Sequence, residues 1–349
     1  MNKSLLLLIS IALISCNSDL DSTIFTQFQK FIKKFKKNYS SINEFMGRYI
    51  VFKKNYIEIM NSEKSSYNKG INEFSDLTTQ EFKKKYLNLN YDAVAASNFD
   101  PYHIKISNDA PESLDWRSLN RVVPTVRSMG ICSASYAYST VGNLEGLYAE
   151  HFGKLVDLST SVIIDCDTKD SGCNGGLMEY TIAWLKDNGI MTEADYPSHS
   201  YKDECKIDID KCVHMRITGF EKLGSSTFSC VDEEIMKEFL YKKGPVSVAL
   251  NANCLQTYSS GIIDLSSAIC PSSGINHCAL LVGYGTDSTT GLDYWIVKNF
   301  WGKIVGRGLP QREENAASLS RKYFGFLSAT ADVQSSVQGR QALPKNSQR

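Results

Sequence analysis

The stretch SMGICSASYAYS, residues 128–139, places a cysteine, Cys132, three residues before a serine, Ser135. From that serine onward, side chains suited to a helix interior recur at helical spacing, at Tyr138, Val141, Leu144, Leu147 and Tyr148. The pattern predicts a helix that starts beside Ser135 and ends near Gly153. Because the N-terminus of a helix stabilises negative charge, this stretch is the first candidate for chemistry, with either Cys132 or Ser135 as the reactive group.

The composition is that of an ordinary globular protein. The chain has 349 residues, of which 42% are hydrophobic and 22% charged, enough for two domains of ordinary size. Lysine plus arginine and aspartate plus glutamate both number 38, so the net charge gives no reason to expect a nucleic acid or an acidic membrane as partner.

The N-terminal segment MNKSLLLLISIALISC, residues 1–16, has the features of a secretory signal peptide. Lys3 supplies the positive start, and the apolar run 5–14 is too short to span a membrane. A bacterial lipid-attachment site at LISC is the alternative. Ten cysteines in a secretory chain indicate disulfides. We therefore expect a protein of the secretory pathway, extracellular or in a lysosome or vacuole, with no membrane association after signal removal.

Helical patterns flank the N-terminal side of the central stretch. One helix face carries a stripe spaced by steps of four, four, three and four, formed by Glu44, Arg48, Phe52, Asn55 and Ile59. The extended piece GINEF (70–74) and a second helix from Thr78 follow, and residues 88–109 read as a loosely structured connector.

Strand patterns dominate the C-terminal side. The segments 244–250, 277–285 and 293–299 mix branched and aromatic residues and are bounded by glycine and serine. Helices first and strands afterwards predict an α+β fold with a cleft between its two halves. No strong strand is visible beyond about residue 302.

These motifs together resemble the papain/cathepsin L family of cysteine peptidases with its inhibitory propeptide, over about residues 25–302. The stripe at 44–59 is similar to the family's propeptide helix signature, and Gly70, Asn72, Phe74 and Asp76 match its second motif. The remaining matches follow in family order: DWR (115–117), GCNGGLM (172–178), YP (196–197), GPVSVA (244–249), NH (276–277), VGYG (282–285) and KNFWG (298–302). The resemblance implies a papain-like two-domain fold with a helical left domain, a β-barrel-like right domain and a helical N-terminal propeptide.

The same resemblance divides the chain into a signal peptide (1–16), an inhibitory propeptide (17–109), a peptidase domain (110–302) and a diverged C-terminal tail (303–349). The family's closing motifs are absent from the tail. Either the last strands are rebuilt or the gene model contains an error there.

The family pattern Gln-Gly-x-Cys-Gly-Ser-Cys-Trp reads here from Met129 to Tyr136. By this alignment Cys132 is the disulfide-forming cysteine, Ser135 stands at the nucleophile and Met129 at the glutamine that holds the oxyanion. His277 falls on the general base, and Asn299 on the residue that orients it.

Two of these four catalytic roles are altered. A serine hydroxyl is far less acidic than a thiol, and methionine has no hydrogen-bond donor for an oxyanion, a loss on the order of 10²–10³ in rate. We therefore expect a catalytically inactive or strongly impaired homologue. The alternative is an active endopeptidase-like hydrolase that uses Ser135, His277 and Asn299, because Ser–His pairs hydrolyse peptides on other folds.

A third interpretation is the silicatein branch of the family, which also has serine followed by tyrosine at these positions. Silicateins keep the oxyanion glutamine and carry serine-rich clusters, and neither feature is present in this chain.

The resemblance also implies disulfides Cys132–Cys173 and Cys166–Cys205. The cysteine at 270 lacks its usual partner near the C-terminus, so either it pairs anew, for instance with Cys254, or it is free. The chain has no Cys-x2-Cys pair, so we expect no metal site and no cofactor.

The substrate groove is expected to survive. Gly175 and Gly176 would leave a backbone edge open for an extended peptide, and Cys278 would narrow the mouth of the adjoining pocket. The resemblance implies that the apolar wall of this pocket is formed by Leu177, Met178, Ala249 and Ile275. The expected partners are a peptide or protein ligand in the groove and the chain's own propeptide, with GINEF along the groove, and we expect a monomer.

Overall fold

A computed structural model describes residues 19–63, 65–87, 89, 109–119, 127–223, 233–264, 274–302, 316–320 and 327–335. The predicted signal peptide lies outside these ranges, as do most of the connector and much of the C-terminal tail.

The N-terminal unit, described over residues 19–63, 65–87 and 89, begins with a pair of helices, α1 (Asp19–Lys34) and α2 (Ile42–Met60), with an aromatic contact between them. The rings of Phe28 and Phe52 are fully buried and lie 5.1 Å apart, a separation at which aromatic pairs attract. Helix α2 begins where the Ser41 hydroxyl accepts a hydrogen bond from the Glu44 N–H, which satisfies one of the free donors of the first turn.

The polar stripe of α2 holds the segment that follows it. The Asn55 side-chain amide donates to the carbonyls of Ser75 (3.0 Å) and Leu77 (2.9 Å), and the Arg48 guanidinium donates to the carbonyl of Asp76. This segment lies between strand β1 (Tyr67–Lys69) and helix α3 (Thr79–Tyr86). A capping box between Thr78 and Glu81 starts α3.

The central part of the chain is helical. Its α-helices are α4 (Ser135–Phe152), α5 (Thr160–Cys166), α6 (Met178–Asn188) and α7 (Glu233–Lys243), and its short 3₁₀ turns are Gly172–Asn174, Ile209–Lys211 and Asn253–Leu255. Helix α4 is buried on nearly all sides and ends at Gly153, whose φ of 67° favours glycine. The disulfides Cys132–Cys173 and Cys166–Cys205 tie the surrounding loops together.

Within the part of the chain that the structure describes, nine strands form one sheet. Besides β1 they are β2 (Leu114–Asp115), β3 (Met215–Leu223), β4 (Val246–Leu250), β5 (Tyr258–Ile263), β6 (His277–Thr286), β7 (Asp293–Lys298), β8 (Ala316–Ser320) and β9 (Leu327–Ser335). The strand order is β1-β5-β8-β7-β6-β4-β9-β3, and β2 pairs with β6. The pairing is antiparallel except between β5 and β8. Helices and sheet together form the α+β papain-like architecture that the sequence predicts.

The sheet differs from the sequence expectations in two ways. Within the described residues it does not close into a barrel, because β1 from the N-terminal unit pairs only with β5 and β3 forms the opposite edge. The tail is not strand-free beyond residue 302, because β8 pairs with β7 and β9 lies between β4 and β3. Apolar and polar residues alternate only weakly in the tail. The edges of β7 and β4 that face away from β6 nevertheless provide backbone partners for β8 and β9.

The contact between α4 and β6 positions the functional site. A Cβ atom at Gly142 would lie 2.9 Å from a methyl carbon of Leu280, so the glycine allows the helix and the strand to approach closely without displacing that side chain. The Ser139 hydroxyl donates to the carbonyl of Ala279 at 2.6 Å. As a result, the start of α4 is fixed beside the start of β6. Across the described ranges, no helix has both the length and the apolar character needed to cross a membrane.

Candidate active site

Ser135 is the first residue of α4, and its side chain is buried. The preceding residue, Ala134, makes no side-chain cap, and the first turn of the helix carries no acidic residue. The backbone N–H of Cys278 donates to Ser135 Oγ at 3.1 Å. This hydrogen bond holds the hydroxyl between α4 and the first residues of β6. Because Cys132 is bonded to Cys173, Ser135 is the candidate for the reactive group.

His277 is the first residue of β6, and its ring is oriented by Asn299. The distance from His277 Nε2 to Asn299 Oδ1 is 2.9 Å, and the backbone N–H of Phe300 donates to the same Oδ1 at 2.8 Å. Because Oδ1 is only an acceptor, Nε2 carries a proton. The indole ring of Trp301 lies 4.8 Å from the imidazole ring and covers it.

The second ring nitrogen of His277, Nδ1, is buried and makes no hydrogen bond. Burial is the largest effect and lowers the pKa of His277 to about 4, although the hydrogen bond with Asn299 and, less strongly, the neighbouring Tyr86 backbone favour the protonated ring. The imidazole is therefore neutral in this state at ordinary pH. With Nε2 protonated, Nδ1 is the atom that could accept a proton.

Ser135 and His277 are neighbours without a direct bond between their side chains. Ser135 Oγ accepts from the Cys278 N–H, whereas His277 Nδ1 has no hydrogen-bond partner among the described residues. The structure thus brings the predicted residues Ser135, His277 and Asn299 together, and of their side chains only those of His277 and Asn299 are hydrogen-bonded to each other.

Met129 lies on the chain segment beside Phe300 and Trp301. Its backbone N–H donates to the Phe300 carbonyl at 2.9 Å, and its side chain is fully buried. A thioether has no N–H or O–H to donate. No donor for an oxyanion therefore comes from this side chain. Next to Phe300 in the chain, the indole Nε1 of Trp301 is buried without a hydrogen-bond partner among the described residues.

Asp170 packs against the Gly175–Gly176 backbone that is predicted to form the edge of the groove. Its carboxylate accepts from the Leu177 N–H and from the Thr181 hydroxyl, both at 2.8 Å, and a Cβ at Gly176 would lie 2.6 Å from it. Burial raises the pKa of Asp170 to about 7. Gly175 has a φ of 104°, in the region that favours glycine.

The residues predicted to form the apolar pocket are all buried and belong to one hydrophobic cluster: Leu177, Met178, Ala249, Ile275 and Cys278. The thiol of Cys278 is free, and burial raises its pKa above the usual range, with a smaller contribution from Glu179.

The segment after α3 lies against the residues that flank the candidate active site. The hydroxyl of Ser133 donates to the carbonyl of Lys85, and the backbone N–H of Leu89 donates to the carbonyl of Asn276 at 3.2 Å. These contacts lie within two residues of Ser135 and one residue of His277. The N-terminal unit therefore covers the site from both sides.

The expectation for GINEF was wrong. The Gly70 N–H donates to the Thr257 carbonyl and the Asn72 side-chain amide to the Gln256 carbonyl, so this segment lies next to β5, and only Phe74 at its end reaches Trp301. The reason is geometric: β1 binds the free edge of β5, and the chain needs α3 to reach from there to the cleft.

Aromatic side chains fasten α3 to the wall of the site. Phe74 and Phe82 are buried, and their rings lie 5.4 Å and 5.3 Å from Trp301 in edge-to-face geometry. The ring of Tyr86 meets that of Phe74 edge-to-face, with the ring centroids 4.8 Å apart. Trp301 thus contacts the imidazole on one side and the N-terminal unit on the other.

Comparison with known proteins accounts for this arrangement. A family model described as papain family cysteine protease matches residues 110–311, and one described as cathepsin propeptide inhibitor domain matches residues 28–82. The chain belongs to the papain family of cysteine proteases. The N-terminal unit of this papain-family chain is accordingly its propeptide domain.

Individual relatives agree with the family. Cathepsin F of Drosophila melanogaster is 35% identical over 292 residues, which are 80% of this chain and 46% of that protein. The viral cathepsin of Spodoptera litura multicapsid nucleopolyhedrovirus is 33% identical over 87% of this chain and 91% of its own length. The solved structure of digestive procathepsin L 3 from Tenebrio molitor larval midgut matches this protein with a TM-score of 0.76 and 31% identity. The match covers 88% of this chain and 98% of the procathepsin chain.

Two contributors to the site were missed in the sequence. Ser133 replaces a glycine of the family pattern, and that hydroxyl was a readable signal for a new hydrogen bond in the cleft. Asp170 lies in a polar segment and becomes important only because Gly176 folds onto it. Among the described residues, no group of three or more His, Cys, Asp or Glu side chains is arranged to hold a metal ion.

Proposed function

We propose that this papain-family chain is a secreted homologue, extracellular or in a lysosome or vacuole, with little or no peptidase activity, and that it acts as a monomer that binds peptides in its cleft. Residues 17–109 are its propeptide and 110–302 its peptidase-like domain. The observation that carries the proposal is the pair of altered groups at the reaction centre: a hydroxyl at Ser135 that makes no bond to His277, and a thioether at Met129.

The chemistry of the two altered groups predicts that peptide hydrolysis is slow. An alcohol does not form a resting ion pair with imidazole, so His277 would have to remove the proton during attack. The negative charge that develops on the substrate carbonyl oxygen would then face no side-chain donor at Met129, which costs on the order of 10²–10³ in rate. Binding requires neither group, because it uses the backbone edge at Gly175–Gly176 and the apolar pocket.

The competing proposal is a hydrolase that uses Ser135, His277 and Asn299. It is favoured by one specific observation, the 2.9 Å contact between His277 and Asn299, which keeps the imidazole oriented as a base. Peptide hydrolysis by such an enzyme would depend entirely on attack by the Ser135 hydroxyl.

A turnover assay separates the two proposals. A protease site placed in the connector at 90–108 allows the full chain to be cut, and a dipeptidyl fluorogenic substrate with an apolar side chain before the scissile bond is then added. We expect no turnover above that of the Ser135→Ala variant. Turnover in the natural chain that Ser135→Ala abolishes would establish the hydrolase instead.

A further inference from the structure

The start of α4 has lost the negative charge that a thiolate supplies in an active papain-family enzyme, but it keeps the groups that stabilise that charge. We infer that, once the propeptide leaves, this position binds a carboxylate, and that the preferred ligands are peptides that end in a free α-carboxylate. The inference rests on the proposed function and names the class of peptide that the cleft would hold.

The first observation is the N-terminus of α4, an 18-residue helix. Ala134 contributes no capping side chain, and no acidic residue stands in the first turn. The N–H groups of a first helical turn and the helix dipole favour an anion. Ser135, at this end, is neutral. No side chain of the first turn therefore places a negative charge at the positive end of the helix dipole.

The second and independent observation is His277. Its ring is fully buried, and Nδ1 makes no hydrogen bond. Because Nε2 is bound to Asn299, Nδ1 faces the opposite side of the ring. In the closed form the propeptide brings the carbonyl oxygen of Tyr86 close enough to this ring to favour its protonated form.

The groups around His277 permit an anion under acidic conditions. Tyr86 from α3, Ser135 from α4, Asn299 and Trp301 surround the ring, and none of these carries a negative charge at pH 5. The carboxylates of α6 and of the loop before it, Glu179 and Asp170, act on the neighbouring Cys278 thiol. Asp170 has its pKa raised to about 7, so it is neutral at pH 5.

The geometry of the groove indicates why the anion is a peptide terminus. The apolar pocket and the glycine edge would hold the side chain and backbone that precede a scissile bond. The carboxylate of a peptide that ends there lies where the scissile carbonyl of a substrate would lie, beside Ser135 and His277. Endoproteolysis is the class of reaction that produces such peptides, so the ligand would be supplied by active peptidases.

The test uses two ligands that differ only in charge: acetyl-Phe-Leu-Gly with a free carboxylate and the same peptide as its C-terminal amide. The protein is the full chain cut in the connector, with Phe82→Ala to loosen the propeptide, and opening is verified by hydrogen exchange of the Trp301 indole N–H. At pH 5 and low salt we expect the carboxylate to bind about tenfold more tightly than the amide. The preference should disappear by pH 8, where imidazole is neutral.

A matched pair of variants tests whether the carboxylate binds at Ser135. Ser135→Asp fills it with a carboxylate of its own and should abolish the preference, whereas the neutral Ser135→Asn should retain it. If neither variant folds, the pH and salt dependence in the Phe82→Ala chain still decides. Equal binding of both peptides would overturn the carboxylate site and leave the proposed function intact. Binding of neither peptide to a chain whose indole exchanges freely would overturn both.

Discussion

The reaction centre and the propeptide interface share one wall of the cleft but differ from the family pattern in opposite directions. At the reaction centre, the proposed alignment places Ser135 and Met129 where the family has a thiol and an amide, so that an acidic nucleophile and a hydrogen-bond donor would be lost. At the interface, Ser133 replaces a glycine and adds a hydrogen bond to the Lys85 carbonyl. The comparison teaches that catalysis depends on the acidity and donor capacity of single atoms, whereas docking is distributed over many contacts.

The sharpest way to break this comparison is to restore the chemistry without altering the interface. The double variant Ser135→Cys with Met129→Gln should raise peptidase turnover by about 10³-fold or more, because it returns both a thiolate and an oxyanion donor beside an intact His277–Asn299 pair. Turnover of the cut chain with a fluorogenic dipeptide measures it. Ser135→Cys alone should regain less, and an inert double variant would contradict the view that only these two groups are missing.

The interface should weaken most when an aromatic ring is removed from it. Phe82 is fully buried between α3 and Trp301, so Phe82→Ala should destabilise propeptide docking by about 3 kcal/mol. Hydrogen exchange of residues 67–89 measures the change. The matched control is Ile50→Ala on α2, where the side chain is 64% exposed and the cost should stay within about 0.5 kcal/mol. Similar effects of the two variants would contradict the docking geometry.

Acid should open the interface through His277. Burial lowers its pKa to about 4 in the closed form, whereas an exposed histidine titrates near 6.5. The open form therefore binds a proton more readily, and the closed form keeps its full stability above about pH 6.5 and loses it as the pH falls toward 4. The loss should be about 2 kcal/mol, because the open cleft still shields part of the ring.

The measurement is propeptide release against pH in a Glu73→Gln background. This background is needed because the pKa of Glu73 is raised to about 7, mainly by burial, so its protonation below pH 7 stabilises the closed form and opposes His277. His277→Gln should flatten the profile between pH 6.5 and 4. A flat profile in the chain that retains His277 would show that the imidazole is already hydrated in the closed form.

The smallest effect concerns the hydrogen bond of Ser133. Ser133→Gly returns the family residue and should weaken propeptide docking by about 1 kcal/mol, the usual net value of one hydrogen bond. Faster amide exchange of Leu89 than in the natural chain would record it. Ser118→Ala is the control, because its hydroxyl bonds to the Asp115 carbonyl away from the cleft. An unchanged exchange rate in Ser133→Gly would remove Ser133 from the interface.

Several features of the molecule were predictable from local pattern. The helix that starts at Ser135 and the stripe of α2 follow from spacing, because side chains three and four residues apart share a helix face. The α+β class follows from helices that precede strands. The strands of the tail were not predictable, because Ala316–Ser320 and Leu327–Ser335 lack a strong alternating pattern and depend on the edges of neighbouring strands.

The amino-acid sequence by itself determined which atoms are available for chemistry: an alcohol at Ser135, a thioether at Met129 and an imidazole at His277, since residue identity sets acidity and donor capacity. Only the tertiary structure decided what those atoms face. Ser135 accepts from Cys278, the Nδ1 atom of His277 is left without a partner, and Lys85 of α3 contacts Ser133 beside the cleft. These relations arise between segments more than 40 residues apart, where no local pattern specifies distance or burial, so they exist only once the sheet and helices have packed.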